Sequence, residues 1–182
     1  MSRISDIEAA ILGLLYEHHH YAYRLDHIIK KRGMRNWADI GFSSIYYVLK
    51  RLEERKFVES KLRDTEGKPS RKVYYITKEG QKAMQEKVEE VLSENKKQIS
   101  SFDLGMANID VLRPEKTLNC LNNYLKSTDN RIEFLENSIA MHESINSPYN
   151  VIALFTRPLA LLKAEKSWVE NFIQKIKENN RI

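Results

Sequence analysis

Hydroxyl and basic side chains that could bind a phosphate are concentrated in residues 43–59, SSIYYVLKRLEERKFVE. Apolar residues recur there every three or four positions, the spacing of one buried helical stripe. They are Ile45, Val48, Leu49 and Leu52. The other side of that helix would display Ser43, Ser44, Tyr47, Lys50 and Arg51, with Tyr46 at the border. These groups can donate hydrogen bonds to phosphate oxygens, and Lys or Arg can also pair with the O6 and N7 edge of guanine. The stretch predicts a helix from about Ser43 to Arg55 that can contact DNA.

A second basic group follows in the sequence EGKPSRK, residues 66–72. Two runs with strand character, FVESKL and RKVYYIT, flank the turn sequence DTEGKPS, which predicts a β-hairpin. We expect Lys68, Arg71 and Lys72 around the tip of this hairpin. Such a tip can reach a phosphate or the minor groove and add affinity rather than base readout.

The charge of the chain is distributed unevenly. Residues 1–80 carry 16 Lys and Arg against 11 Asp and Glu, whereas residues 81–182 carry 14 against 14. The whole net charge of +5 therefore belongs to the first part. This asymmetry predicts an anionic partner for the N-terminal part only, and nucleic acid is the commonest such partner.

The elements that must position these side chains can be read from the spacing of apolar residues. Residues 4–16 predict a first helix, with Ser5 and Glu8 as a capping box. A second helix should contain Leu25 and end near Gly33. After the hairpin, Thr77 is expected to cap a long helix whose apolar side extends to Phe102.

Two further helices complete the chain. One begins at Pro114 and extends to about Ile139, and the other follows the SPY break at 147–149. Three helices followed by a hairpin describe a winged helix-turn-helix. The predicted fold is mostly α (α+β): a winged helix-turn-helix domain at residues 1–80, then a long connecting helix and a helical dimerisation domain within residues 81–182. The C-terminal helices are too amphipathic to be stable alone, so we expect a homodimer.

Residues 4–84 resemble the PadR-like family of transcriptional regulators. The resemblance is carried by SSIYYVLKRLEERKFVES followed by EGKPSRKVYYITKEG, and by AILGLL and YAYRL nearer the N-terminus. The tail is similar in spacing to the AphA-like C-terminal helical domain of longer family members. The resemblance implies a homodimer that reads a two-fold symmetric DNA operator, with Tyr46 on the DNA backbone and with Lys68, Arg71 and Lys72 at the wing tip. We take the protein to be a repressor.

One position departs from the family pattern. Where the family usually has Gly after the third helix, this chain has Lys56. A left-handed conformation there would cost a non-glycine residue on the order of 1 kcal/mol. We therefore expect the third helix to end differently.

Other chemistry finds little support in the sequence. One cysteine, Cys120, excludes an internal disulfide and favours a reducing, cytoplasmic location. His18, His19 and His20 are consecutive, so their side chains diverge and no metal site is predicted. No catalytic motif is present, no cofactor is expected, and no apolar run of about 18 residues could cross a membrane.

Two alternative functions remain open. In some ligand-responsive members of the family, aromatic residues near the dimer interface bind a flat effector, which makes the chain a candidate sensor of multidrug or phenolic type. The two tryptophans, Trp37 and Trp168, raise this question. The residues that could line such a site are Trp168, Phe172, Phe155 and Tyr149, although none is assigned to a small aromatic effector. The second alternative is a winged-helix module that binds a protein and not DNA.

Overall fold

A computed structural model describes residues 4–36, 44–65, 68–95, 97 and 100–179. The chain divides into two compact units, Met1–Lys97 and Gln98–Ile182. The first contains α1 (Asp6–Glu17), β1 (His20–Tyr21), α2 (Ala22–Lys31), a 3-10 turn (Met34–Asn36), α3 (Ser44–Glu54), β2 (Val58–Thr65), β3 (Lys68–Ile76) and α4 (Lys78–Ser93). The second contains α5 (Ser101–Ala107), a 3-10 turn (Ile109–Val111), α6 (Pro114–Ser144) and α7 (Tyr149–Asn179). The predicted fold class, mostly helical with a winged helix-turn-helix, is confirmed.

The helices of the first unit begin and pack as their apolar spacing predicts. Ser5 and Glu8 form the predicted capping box at the start of α1. The predicted inner stripe of α3 is buried against α1 and α2 in one core. That core includes Ile11, Leu12, Leu25, Ile29, Ile45, Val48, Leu49 and Leu52. Its burial fixes which side of α3 remains exposed.

The predicted hairpin is confirmed, and it belongs to a sheet with the strand order β1-β3-β2. Strand β1 was not predicted, because the HHHYAY sequence has the polar character of a break between helices. His20 lies opposite Tyr74 and Tyr21 lies opposite Val73 in antiparallel pairing. A strand of two residues is too short to show an alternating pattern, so only the pairing itself reveals it.

The end of α3 corrects the expectation for Lys56. This residue adopts the left-handed conformation, with φ of 60°. Its amide donates to the Glu53 carbonyl at 3.0 Å, and the Phe57 amide donates to the Leu52 carbonyl at 2.9 Å. These two bonds define a Schellman motif, which Gly usually completes. The two carbonyls at the helix end gain partners, which offsets the cost of placing a lysine there.

The long helix predicted after the hairpin is shorter than expected. Thr77 caps α4 as predicted, accepting from the Gly80 amide at 3.0 Å, but α4 ends at Ser93. Phe102 belongs instead to α5, whose N-cap Ser100 accepts from the Phe102 amide at 3.1 Å. Ser100 supplies a new helix start that the apolar spacing does not reveal. Ile99 lies outside the described residues.

The compact units divide the chain between residues 97 and 98, so α4 belongs to the first unit. In that unit, Lys87 Nζ on α4 pairs with Asp6 Oδ1 on α1 at 2.8 Å. A functional boundary between residues 80 and 81 remains a prediction. Among the described helices, none has a stretch long and apolar enough to cross a membrane.

The second unit is held together by facing sides of its helices. Pro114 occupies the first turn of α6, as predicted. Leu121 on α6 and Val169 and Ile173 on α7 are buried together. The hydroxyl of Tyr124 donates to Glu165 Oε1 at 2.6 Å across the same pair of helices. Burial, followed by this hydrogen bond and the nearby carboxylate charge, raises the pKa of Tyr124 to about 12.

Candidate nucleic-acid interface

The exposed side of α3 carries the side chains that the sequence predicted. Tyr46 is 63% exposed and Tyr47 is 62% exposed. Tyr46 was expected at the border of the buried stripe, yet it is as open as its neighbour. Lys50 is also exposed, with its Nζ 3.9 Å from Glu54 Oε1. An exposed ion pair at this distance contributes little to stability, so Lys50 can leave Glu54 and bind another anion.

Arg51 is held by a contact that the sequence did not predict. Its Nε and Nη2 both donate to Glu8 Oε1, at 3.2 and 2.9 Å. Its side chain is nevertheless 43% exposed, whereas Glu8 is fully buried. The charge of Glu8 and its hydrogen bond raise the pKa of Arg51, with a further hydrogen-bond contribution from Tyr47. The Arg51 side chain therefore binds the buried Glu8 of α1 and still remains accessible at the edge of α3.

The wing is the hairpin formed by β2 and β3. The three basic residues predicted for its tip, Lys68, Arg71 and Lys72, lie along strand β3. Thr65 pairs with Lys68, Arg63 with Arg71, and Leu62 with Lys72. The expectation that Arg71 and Lys72 surround the tip is corrected, because β-pairing begins at Lys68. Lys72 Nζ lies 3.6 Å from Glu53 Oε2 of α3, and Arg71 Nη1 donates to the Tyr23 hydroxyl at 3.4 Å.

A shallow groove brings the wing and α3 together. Its volume is about 420 Å³, and it is lined by Tyr21, Ala22, Tyr23, Tyr46, Arg71, Lys72 and Tyr74. Tyr21 and Tyr23 stack with ring centroids 5.7 Å apart, and the guanidinium of Arg71 lies 5.4 Å from the centroid of the Tyr23 ring. Phenol hydroxyls and two cations along one open groove suit a phosphodiester backbone. Three predicted residues, Tyr46, Arg71 and Lys72, are thus brought together.

Sequence reasoning missed three residues of this surface. Tyr21 and Tyr23 come from β1 and the start of α2, and Arg63 comes from β2. Arg63 is exposed and lies directly opposite Arg71. Like charges in that position repel each other, and an anion bound between them would relieve the repulsion. A two-residue turn would place Arg63 opposite Ser70, and the register shift between Arg63 and Thr65 brings it opposite Arg71 instead. The sequence alone does not reveal that shift.

Four of the residues singled out in the sequence lie wholly or partly outside the described part of the chain. Ser43 lies outside the described residues, as does Trp37. Ser44 begins α3 and Lys68 begins β3, but their side chains are outside the part of the chain that is described. Their roles remain predictions.

The three consecutive histidines take different surroundings. The His19 ring stacks on Tyr75 at 4.9 Å, while the rings of His18 and His20 meet edge to face at 6.4 Å. Burial, followed by the positive charges of His18, Arg24 and His19, lowers the pKa of His20. Within the described ranges, no group of three or more His, Cys, Asp or Glu residues could hold a metal ion.

The candidate aromatic residues for an effector form two separate contacts in the second unit. The Trp168 ring stacks on Phe172 at 5.2 Å and meets Phe102 edge to face at 6.3 Å. Phe155 instead stacks on His142 at 4.8 Å, and Tyr149 is 88% exposed. The structure therefore does not gather these residues into one pocket.

Residues 11–86 match the transcriptional regulator PadR-like family. The match covers α3, the wing and the tyrosine-lined groove. This part of the chain is therefore similar to PadR-like transcriptional regulators. Among curated proteins, none matches the chain significantly.

Solved structures share the fold. Bacillus subtilis PadR in complex with operator DNA superposes with a TM-score of 0.76 at 20% identity, covering 94% of this chain and 99% of that one. The same protein in complex with p-coumaric acid gives a TM-score of 0.74 at 20% identity, over 94% and 98% of the two chains. A PadR-like transcriptional regulator from Bacillus cereus gives 0.65 at 16% identity, again over 94% and 98%. Because nearly the whole of each chain is covered, the second unit has counterparts in these structures.

Proposed function

We propose that the chain is a homodimeric transcriptional repressor that reads a two-fold symmetric DNA operator with helix 43–55 and wing 57–77. The observation that carries this proposal is the groove between α3 and the wing, where Tyr46, Arg71 and Lys72 converge. The exposed side of α3 would enter the major groove, and the wing would lie along the backbone. Bacillus subtilis PadR, which shares the fold, has been crystallised with operator DNA.

The dimer is supported by exposed apolar side chains on the long helices. On α7, Leu154, Leu161 and Trp168 are 44%, 52% and 50% exposed and recur every seven residues. On α6, Phe134 and Met141 show the same spacing. A seven-residue apolar repeat is the pattern that packs against another helix. A second copy of the chain is the occupant that a two-fold operator requires.

The experiment is a gel retardation assay with the full chain and a duplex from the region upstream of its own gene. We expect nanomolar to sub-micromolar binding that weakens steeply as the salt concentration rises. Arg71→Ala should weaken binding and reduce the slope of log K against log salt by about 1 for each phosphate that is no longer bound. Lys82→Ala, on the exposed surface of α4 and away from the groove, is the matched control. Binding that ignores both sequence and salt would reject the proposal.

As a second function, we propose that the same regulator responds to a planar aromatic ligand. The half-exposed Trp168 ring, stacked on Phe172, is the observation that favours it. Bacillus subtilis PadR has been crystallised with p-coumaric acid. Quenching of tryptophan fluorescence by phenolic acids, abolished in Trp168→Leu and coupled to release from DNA, would support this role. Quenching that persists in that variant would exclude Trp168.

A further inference from the structure

The buried carboxylate of Glu8 links the first helix to the exposed side of α3. Its Oε2 accepts from the amide and the hydroxyl of Ser5, at 2.7 and 3.0 Å, which is its capping role. Its Oε1 accepts three further bonds: from Nε and Nη2 of Arg51, and from Nη1 of Arg55 at 2.9 Å. Capping needs only Oε2. The other oxygen, Oε1, is bound by Arg51 and Arg55.

The geometry of these bonds leaves one edge of Arg51 directed away from the core. A guanidinium is planar and has two edges that can each form a paired hydrogen bond. The edge formed by Nε and Nη2 faces Glu8, which is fully buried. The terminal edge, which includes Nη1, therefore points away from Glu8. The Arg51 side chain is 43% exposed there, and Tyr47, which is also exposed on α3, contributes a further hydrogen bond to it.

Arg55 differs from Arg51 although both bind the same oxygen. Its side chain is only 21% exposed, and its guanidinium lies 4.6 Å from the centroid of the Phe57 ring. One carboxylate is thus shared by two cations, of which the more exposed is Arg51. The shared carboxylate leaves a net positive charge at this edge of α3.

We propose that Glu8 is a positioning residue for DNA recognition: it holds Arg51 so that the terminal edge of the guanidinium can pair with the O6 and N7 atoms of a guanine in the major groove. This inference rests on the proposed function, because it requires α3 to lie in that groove. Fixing the side chain before binding removes part of the ordering cost that a free arginine would incur. Glu8 touches no DNA in this arrangement and acts only through Arg51.

The test compares the operator and a random duplex of equal length as ligands of the full chain. In Glu8→Gln, the preference for the operator over the random duplex should fall by about tenfold or more, because an arginine–guanine pair carries discrimination of that size. Affinity for the random duplex should not fall, since both guanidinium groups remain and a negative charge has been removed. Arg51→Lys, which keeps the charge but loses the paired edge, should show the same loss of preference.

A double-mutant cycle separates positioning from general stability. Glu8→Gln combined with Arg51→Lys should discriminate no worse than Arg51→Lys alone, since Glu8 acts through Arg51. Glu17→Gln is the matched control, because Glu17 lies on the same helix and pairs with Arg32 at 2.7 Å. Arg55→Gln should also keep the operator preference, because it leaves the contact between Glu8 and Arg51 in place.

Several outcomes would overturn the inference. Equal weakening of both affinities in Glu8→Gln, or additive losses in the double variant, would make Glu8 a purely structural residue. If Glu8→Gln does not fold, Glu8→Asp replaces it, and an unchanged preference in that variant refutes positioning by Glu8. A wild-type chain with no preference for any duplex would reject the proposed function as well, whereas an unchanged preference in Glu8→Gln rejects only the inference.

Discussion

At the scale of single residues, Glu8 shows how donors can keep a buried carboxylate charged. Burial alone would raise the pKa of Glu8, but hydrogen bonds from Ser5 and the charges of Arg51 and Arg55 outweigh it. The pKa therefore lies below its ordinary value of 4.5. Because the pKa is lower in the folded chain than in the unfolded one, the stabilisation is complete above the unfolded pKa. It is lost as the pH falls through the lowered folded pKa.

Glu8→Gln should remove this acid-sensitive stabilisation. We expect the free energy of unfolding at pH 7 to fall by about 1–3 kcal/mol, because the charge-assisted bonds from the arginines are weakened. Stability should also decrease less between pH 6 and pH 3 than it does in the wild type. Urea unfolding at several pH values measures both effects, with Glu86→Gln on the exposed side of α4 as the control. Parallel pH profiles for wild type and Glu8→Gln would contradict the prediction.

Lys56→Gly should stabilise the protein, although it removes a whole side chain. The left-handed conformation of Lys56 is strained for an L-residue and free of strain for glycine. We expect the free energy of unfolding to rise by about 0.5–1 kcal/mol, with an unchanged dependence on urea concentration. The same substitution inside a helix, Lys82→Gly, should lower it by about 1 kcal/mol. A destabilised Lys56→Gly would show that the lysine side chain contributes more than its backbone costs.

At the scale of elements, the junction between β3 and α4 joins the wing to the rest of the first unit. The hydroxyl of Thr77 donates to the Lys56 carbonyl at 2.8 Å, and its amide donates to the Phe57 carbonyl at 3.0 Å. Gly80 packs directly on this site: a Cβ placed there would lie 2.1 Å from the Phe57 carbonyl oxygen. The T-x-x-G sequence, from Thr77 to Gly80, therefore has two roles. Thr77 caps α4, and Gly80 lets the backbone of α4 approach the Phe57 carbonyl closely.

Gly80→Ala should disrupt this junction. The added methyl group would overlap a backbone atom that cannot rotate away, so we expect a loss of at least about 2 kcal/mol in the free energy of unfolding. Gly105→Ala is the matched control, since a Cβ there meets no atom within 4 Å. In α5 that change should be neutral or stabilising. Thermal denaturation followed by circular dichroism compares the two, and equal midpoints would show that the junction can relax.

The elements also show what the sequence could and could not predict. The inner stripe of α3, the hairpin and the Thr77 cap follow from local spacing and residue type, and all were predicted. The two-residue strand β1 and the contact between Glu8 and Arg51 depend on partners far along the chain. Contacts between residues far apart in the sequence leave no periodic pattern of apolar residues from which they could be predicted. The break after Ser93 was missed because apolar spacing continues across it, while the cap at Ser100 is a single residue.

At the scale of the whole molecule, the predicted two-fold arrangement depends on helices whose apolar residues remain exposed in one chain. The spacing of Leu154, Leu161 and Trp168 along α7 was visible in the sequence, but which of the apolar residues would remain exposed was not. Buried Val169 directly follows exposed Trp168. Only the packing of α6 against α7 separates the inner stripe from the outer one. The candidate interface and the exposed stripe therefore belong to different units of the chain.

Leu161→Glu places a charge at the centre of that exposed stripe and should prevent pairing of two copies. We expect the wild type to be a dimer at micromolar concentration by light scattering and Leu161→Glu to be a monomer. Burying an unpaired carboxylate between apolar helices costs more than removing the packing of one leucine.

Affinity for a two-fold operator should fall steeply, because the second half-site no longer benefits from the high effective concentration that a dimer provides. Affinity for a single half-site should stay unchanged, since α3 and the wing lie in the first unit. Gln174→Glu, an exposed polar position on α7, should remain dimeric. A monomeric wild type, or a dimeric Leu161→Glu with wild-type operator affinity, would contradict the dimer through this stripe.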